Sequence, residues 1–248
     1  MKIIPLPEGA FTIDKTKQFV PFDLEADDLP ARPKGSLLVE IQPFVVVVGE
    51  DILLLDTGLG FRDPDGTLQI HRHLVQAGIS PLDITKVLLS HLHKDHAGGA
   101  TVKDPAVGQY VLSFPQATYY IQRREWEDAR SKGLPSYIPE ELSLLGSRDQ
   151  VEFLEADRGS IGPRVQFEVT GGHTPYHQVF WIKEGGQTVF FGGDDAPQWN
   201  QMRGKFIAKY DFDGEKCMEL RREWLAEGQR DHWTFLFYHD VSYPSILM

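Results

Sequence analysis

The chain has 248 residues, 25% charged and 41% hydrophobic, a composition that predicts a soluble globular protein with a sizeable core. Its formal charge is 25 − 36 = −11, and no basic stripe offsets that excess, which argues against nucleic-acid binding. The single cysteine, Cys217, excludes an internal disulfide and a Cys-rich zinc site and fits a reducing, cytoplasmic compartment. Pro5, Pro7 and Glu8 interrupt any signal-peptide core, and no apolar run approaches a membrane span, so no membrane partner is expected.

Residues 11–35, rich in Asp, Pro and Lys, read as an irregular lead-in. Residues 37–48 are apolar and β-branched around Pro43, and 52–55 follow Gly49-Glu50-Asp51. Two strands joined by a tight acidic turn are predicted, the second ending in Asp56-Thr57-Gly58. Apolar Leu68, Ile70, Leu74, Val75 and Ala77 predict a helix stopped by Gly78, with His71 and His73 facing solvent. Residues 86–89 form a short buried strand. Next come a strand at 119–121, a helix at 123–130 and an insertion with short helices over 132–149. Strands follow at 151–154, 165–169, 179–182 and 188–191. A helix over 215–226 is ended by Gly228, and a last strand covers 233–237. No linker or fixed-period repeat divides the chain, so 1–248 reads as a single domain. The helices are too widely spaced for a regular βαβ wheel, which predicts an α/β (α+β) protein with helices outside two layered sheets.

Polarity changes abruptly after Leu88-Leu89, in the run Ser90-His91-Leu92-His93-Lys94-Asp95-His96. Residues i and i+2 of an extended or turning segment project the same way, so His91 and His93 can grip one ion. Asp95 and His96, beyond a turn, can face a second. Ala97-Gly98-Gly99 lets backbone pass close to the metals, and Lys94, between ligands, is expected to be exposed. Imidazole with carboxylate suits zinc, iron or manganese. Four ligands cannot complete two ions. His173, Asp194 and His239 each follow a predicted strand, where folds gather distant residues. Alone, each reads more readily as a hydrogen-bonded polar residue; together they form a consistent set.

The run His91-Leu92-His93-Lys94-Asp95-His96 resembles the H-x-H-x-D-H motif of the metallo-β-lactamase superfamily. Asp56-Thr57-Gly58 resembles its early Asp-Thr-Gly element, and Gly172-His173-Thr174-Pro175 its Gly-His-Thr-Pro loop. The pattern is most similar to N-acyl homoserine lactonases and esterase-like members. The resemblance implies a four-layer αβ/βα sandwich with metals at one edge. His91, His93 and His173 would hold one metal, Asp95, His96 and His239 the other, and Asp194 would bridge them. Those lactonases carry a tyrosine shortly after the bridging Asp; here Asp194-Asp195-Ala196-Pro197-Gln198-Trp199 has none.

The implied chemistry is hydrolysis of a lactone, ester or thioester by a hydroxide shared between two divalent ions, zinc first and iron or manganese as alternatives. Asp95 could also guide protons as a catalytic group, and the partner is a small-molecule substrate. Phosphodiester or phosphotriester hydrolysis, and iron-dependent redox chemistry, are the competing readings on the same scaffold. Asp56 is expected to orient a ligand imidazole, with a plain turn residue as the alternative. His177, Asp195 and Asp240 flank ligands and could support them. Trp126, Tyr137, Trp199, Met202, Phe206 and Tyr210 are candidates for an apolar pocket, though ordinary packing explains any one of them.

Overall fold

The computed structural model describes residues 1–104 and 108–248. In chain order the first half comprises β1 (Lys2–Pro5), β2 (Gly9–Ile13), β3 (Val20–Pro21), β4 (Leu37–Ile41), β5 (Phe44–Val48), β6 (Asp51–Leu55), α1 (Gln69–Gln76), β7 (Lys86–Leu88) and α2 (Lys94–Ala97). Then come β8 (Thr101–Lys103), β9 (Tyr110–Leu112), β10 (Thr118–Gln122), α3 (Arg123–Lys132), α4 (Pro139–Leu145), β11 (Val151–Leu154), β12 (Arg158–Ile161) and β13 (Val165–Val169). The chain closes with β14 (Gln178–Glu184), β15 (Gln187–Phe191), α5 (Trp199–Arg203), α6 (Gly214–Asp231), β16 (Thr234–Leu236) and β17 (Ser245–Leu247). Among these residues no helix is long and apolar enough to cross a membrane.

Two six-stranded sheets dominate, ordered β1-β5-β6-β7-β10-β11 and β12-β13-β14-β15-β16-β17. In the first, β6, β7, β10 and β11 run parallel. Parallel neighbours need crossovers, which α1 supplies between β6 and β7, and α3 with α4 between β10 and β11. Parallel strands covered on both faces read as continuous apolar runs, as Leu53-Leu54-Leu55 does.

Alternation along β5 and β6 divides the interior. Val45 and Leu54 pack outward with Ile70, Leu74, Ala129 and Leu142 of the helices. Their neighbours Phe44, Val46, Leu53 and Leu55 pack inward against Phe167, Phe180, Ile182 and Phe191 of the second sheet. Beyond that sheet, Val179, Phe190 and Phe235 meet Trp224 of α6. Three apolar layers between four structural layers make the expected αβ/βα sandwich. Since β13 and β15 both oppose β14, and β16 parallels β15, the C-terminal ends of β13, β15 and β16 share one edge. The C-terminal ends of β6 and β7 meet them there.

Several local expectations are corrected. Residues 37–48 are two strands in different sheets: β5 joins the first six-stranded sheet, while β4 pairs with β2 in a three-stranded sheet ordered β3-β2-β4. The break falls at Gln42-Pro43, where proline has no N–H to donate and its carbonyl accepts from Leu6 N at 2.8 Å. The 11–35 lead-in is thus partly sheet. Gly228 does not end α6. It lies inside the helix, where a Cβ would stand 2.3 Å from the Phe235 ring, and His232 caps the helix in a left-handed conformation (φ 55°). The strand at Thr234–Leu236 is not the last, because β17 pairs along its edge.

Candidate metal centre

The shared edge gathers all seven residues singled out from the sequence. His91 follows β7, and His93 precedes the first turn of α2, which presents Asp95 and His96. His173, Asp194 and His239 follow β13, β15 and β16. Ligand atoms of His91, His93, His173 and Asp194 lie within 4.8 Å of one another, as do those of Asp95, His96 and His239.

Asp194 spans the two groups. Its Oδ2 lies 3.2 Å from His173 Nε2, while Oδ1 lies 3.1 Å from His96 Nε2 and 3.0 Å from His239 Nε2. Asp95 Oδ2 is 3.7 Å from His96 Nε2 and 3.6 Å from His239 Nε2. The far nitrogens of three imidazoles are committed elsewhere: His96 Nδ1 to Asp56 Oδ2 at 2.7 Å, His173 Nδ1 to Asp211 Oδ1 at 2.8 Å, and His239 Nδ1 to the Glu40 carbonyl at 2.7 Å. Each acceptor requires an Nδ1–H, so the neutral imidazole carries its free lone pair on Nε2. These lone pairs converge: His96 Nε2 and His239 Nε2 stand 3.3 Å apart, and His173 Nε2 and His93 Nδ1 stand 3.1 Å apart. Asp194 Oδ1 is buried without a hydrogen-bond donor. Such a concentration of lone pairs fits divalent cations.

Electrostatics follow from this crowding. Burial pushes His91 and His93 well below the ordinary imidazole range, and neighbouring imidazoles add to the shift. Burial also opposes charge on His96, but Asp194, Asp95 and Asp56 outweigh it and hold the group well above that range. Burial would raise Asp194; His239, His96 and His173 prevail and hold it well below the carboxylate range.

Asp56 is the orienting carboxylate. It is fully buried, its left-handed backbone (φ 55°) turns the chain at the end of β6, and it accepts Ser90 N and Ser90 Oγ, each at 2.7 Å, besides His96. His177 and Asp195 form a second support. His177 Nε2 accepts Asp194 N at 3.2 Å, and its Nδ1 lies 3.0 Å from Asp195 Oδ2. Asp195 Oδ1 accepts His173 N at 2.7 Å. Burial opposes the charge on Asp195, but His177 and the hydrogen bonds it accepts lower it to about 2. Asp240 instead closes a turn, accepting from Trp199, Ser242 and Tyr243 backbone.

Three supports escaped the sequence reading. Asp211 holds His173, and nothing near it in sequence marks that role. Glu125, buried on α3, accepts Leu92 N at 3.3 Å and Thr174 Oγ1 at 2.7 Å, tying two ligand loops together. Tyr238 stacks on His96 (4.1 Å between ring centres) and donates to the Asp95 carbonyl at 2.6 Å. Its place directly before His239 was the available signal.

Other expectations change. Gly98 and Gly99 do not make room for metals; a Cβ there would stand 2.6 Å from the Leu59 carbonyl and 2.1 Å from the Thr57 carbonyl. Lys94 is half-buried, its Nζ donating to the Lys17 carbonyl at 2.6 Å. His71 and His73 are half-buried, and His71 Nε2 meets the Ser113 carbonyl at 3.0 Å.

A cavity of about 580 Å³ opens over His93, Asp95, His173, Asp194 and His239, a size suited to a small-molecule ligand. Ile13, Phe19, Leu37 and Val39 give it an apolar wall. Of the six aromatic and methionine candidates only Tyr210 lines it, its ring 6.0 Å from that of His173. Tyr137 packs against His93, Trp126 against Phe153 and Trp199 against Phe237. Met202 is buried beside α6, and Phe206 is exposed at the surface.

Imidazoles and carboxylates thus converge at one edge of the sandwich in two groups that could each hold a metal ion. The chain belongs to the metallo-beta-lactamase superfamily, which matches residues 40–239. It is 34% identical over 119 residues to the N-acyl homoserine lactonase AttM of Azorhizobium caulinodans, covering 43% of this chain and 38% of that protein. An N-acyl homoserine lactonase of Bacillus cereus is 26% identical over 168 residues, covering 68% and 60%. The chain thus spans less than two thirds of the length of these curated relatives. A probable metal-dependent hydrolase from Staphylococcus aureus shares the fold at a TM-score of 0.79 and 21% identity, over 99% of this chain and 91% of that one. AidC, a dizinc quorum-quenching lactonase in complex with a product, does so at 0.74 and 20%, over 99% and 89%.

Proposed function

We propose that the chain, as one domain, is a dinuclear metal-dependent hydrolase acting on a lactone, ester or thioester carbonyl. The observation that carries this reading is the Asp194 carboxylate, with one oxygen toward His173 and the other toward His96 and His239. His91, His93 and His173 would hold one ion, Asp95, His96 and His239 the other, and Asp194 both. Imidazole and carboxylate donors accept zinc, iron or manganese, and the dizinc lactonase of the same fold supports zinc first. Two such ions would acidify a shared water and polarise the carbonyl oxygen. The chain's own part is positioning. Asp56, Asp211 and the Glu40 carbonyl fix the imidazole tautomers, the apolar wall seats an acyl chain, and Tyr210, which lines the cavity, contacts the substrate. Ser90 is no competing nucleophile, since it is buried and does not line the cavity. The lactonase names of the relatives support a carbonyl substrate.

Metal analysis of natively purified protein should find two zinc per chain. His93→Ala should lose metal and carbonyl-ester turnover while keeping its far-UV spectrum. Less than one metal per chain would sink the two-ion reading, and iron with visible absorbance would redirect it to redox chemistry. A panel in which phosphoesters turn over and lactones, esters and thioesters do not would replace the carbonyl substrate.

A further inference from the structure

The rim of the cavity is charged in the opposite sense to the chain. Four of the twelve lysines, Lys15, Lys17, Lys94 and Lys209, line it. Among the described residues none of the four makes an ion pair, whereas Lys86, Lys132, Arg72, Arg123 and Arg124 elsewhere each hold a carboxylate. The rim carboxylate, Asp14, is turned onto Thr16, accepting its N at 2.8 Å and its Oγ1 at 2.6 Å. Asp95 and Asp194 lie on the floor among the histidines.

Lys15 and Lys17 belong to the loop between β2 and β3. Lys17 N donates to the Asp14 carbonyl at 3.0 Å, and Lys17 adopts φ 59°, a conformation that favours glycine. Lys94 ties that loop to the helical turn bearing Asp95 and His96 through its bond to the Lys17 carbonyl, with Phe19 5.7 Å beneath the ammonium. An unusual backbone conformation kept at a cavity mouth points to use there. The net charge of −11 does not cancel this field, because screening confines distant surface charges to roughly 8 Å at physiological salt.

We propose that this rim binds a second, non-reacting anionic group of the substrate, a carboxylate or a phosphate, so that acyl substrates with an anionic tail are preferred to neutral ones of equal length. Lysine ammoniums are hydrated point charges on flexible stems, so the rim selects charge rather than one geometry. The inference rests on the carbonyl-hydrolysis reading for the choice of substrates, but not for where the anion binds.

The test uses the zinc-loaded full chain and matched esters with amide, carboxylate or phosphate tails. At low salt the anionic tails should raise kcat/KM about tenfold over the amide, and the advantage should fade toward about 0.5 M salt. The double variant K15E/K209E should remove most of that ratio. K183E, an equal change per residue at an exposed position of β14, should keep it. A faster phosphate tail assigns the anion as phosphate, and a faster carboxylate tail as carboxylate. Neutral esters matching the anionic ones, or a ratio unmoved in K15E/K209E, would overturn the proposal. Calorimetric binding of glutarate separates the two readings. If no ester turns over, the carbonyl reading fails, and the rim is judged on binding alone. Glutarate affinity should then fall about fivefold in K15E/K209E but not in K183E, and equal affinity in both would overturn it.

Discussion

Asp56→Asn tests the metal centre through a residue that touches no substrate. The backbone should tolerate the change, because asparagine, like aspartate, accepts the left-handed conformation found at φ 55°. The hydrogen bonds cannot all survive. Oδ1 accepts Ser90 N, and Oδ2 accepts both Ser90 Oγ and His96 Nδ1, so the new amide NH2 faces a donor in either orientation. Ser90 Oγ can rotate. The adjustment otherwise open is for His96 to move its proton from Nδ1 to Nε2, which removes the lone pair aimed at Asp95, Asp194 and His239. Losing such an orienting carboxylate lowers metal affinity 10–100-fold, about 1.4–2.7 kcal/mol. The buried mismatch should cost the metal-free fold a further ~1–3 kcal/mol. Chelator competition with metal quantification should show one ion leaving early. Asp211→Asn should weaken the other ion instead, through His173. Nitrogen-15 spectra of His96 would report the tautomer directly. Wild-type affinity at both sites, with His96 still protonated at Nδ1, would refute the argument.

Glu8 is buried, and desolvation raises it to about 8, against the hydrogen bond it accepts from Leu59 N. Its folded-state value lies above its unfolded one, so the folded chain binds the extra proton and stability falls as pH rises from about 4.5 towards 8, by at most on the order of 5 kcal/mol. Glu8→Gln should flatten that part of the denaturation-versus-pH curve, and an unchanged slope would show Glu8 is not its source. Gly228→Ala should destabilise by about 1–3 kcal/mol despite the helix propensity of alanine, because its Cβ would meet the Phe235 ring. A raised melting temperature would show that α6 can move off the sheet.

Local pattern carried the strands whose two faces differ in sequence-visible ways. The hairpin of β5 and β6, the helix α1 and the strands β13 to β15 were legible because apolar period and turn residues agree there. The misses share another cause. β2, β3 and β17 are strands of five, two and three residues, too short to show a period of their own, and β4 reads as continuous with β5 until pairing separates them at Pro43. Gly228 shows the same limit. A glycine near a helix end has two physical uses, a left-handed cap or a close approach, and only the Phe235 ring decides between them.

The centre repeats this division one step deeper. His91, His93, Asp95 and His96 were legible because four donors crowd six positions, and His173, Asp194 and His239 because each ends a strand. The groups that set their protons were legible only when adjacent to a ligand or turn, as Asp56, His177 and Asp195 were. Asp211 and Glu125 reach His173 and the ligand loops across the fold, with nothing local to mark them. Yet the groups behind the imidazoles make the two proposed ion sites unequal. His96 leans on a carboxylate that also holds Ser90, His173 on Asp211, and His239 on a neutral carbonyl. A carboxylate acceptor makes an imidazole a stronger donor than a carbonyl does. His239 is therefore the weaker of the two imidazoles facing Asp95, and the His96 group, once Asp56 is neutralised, should be the first to empty.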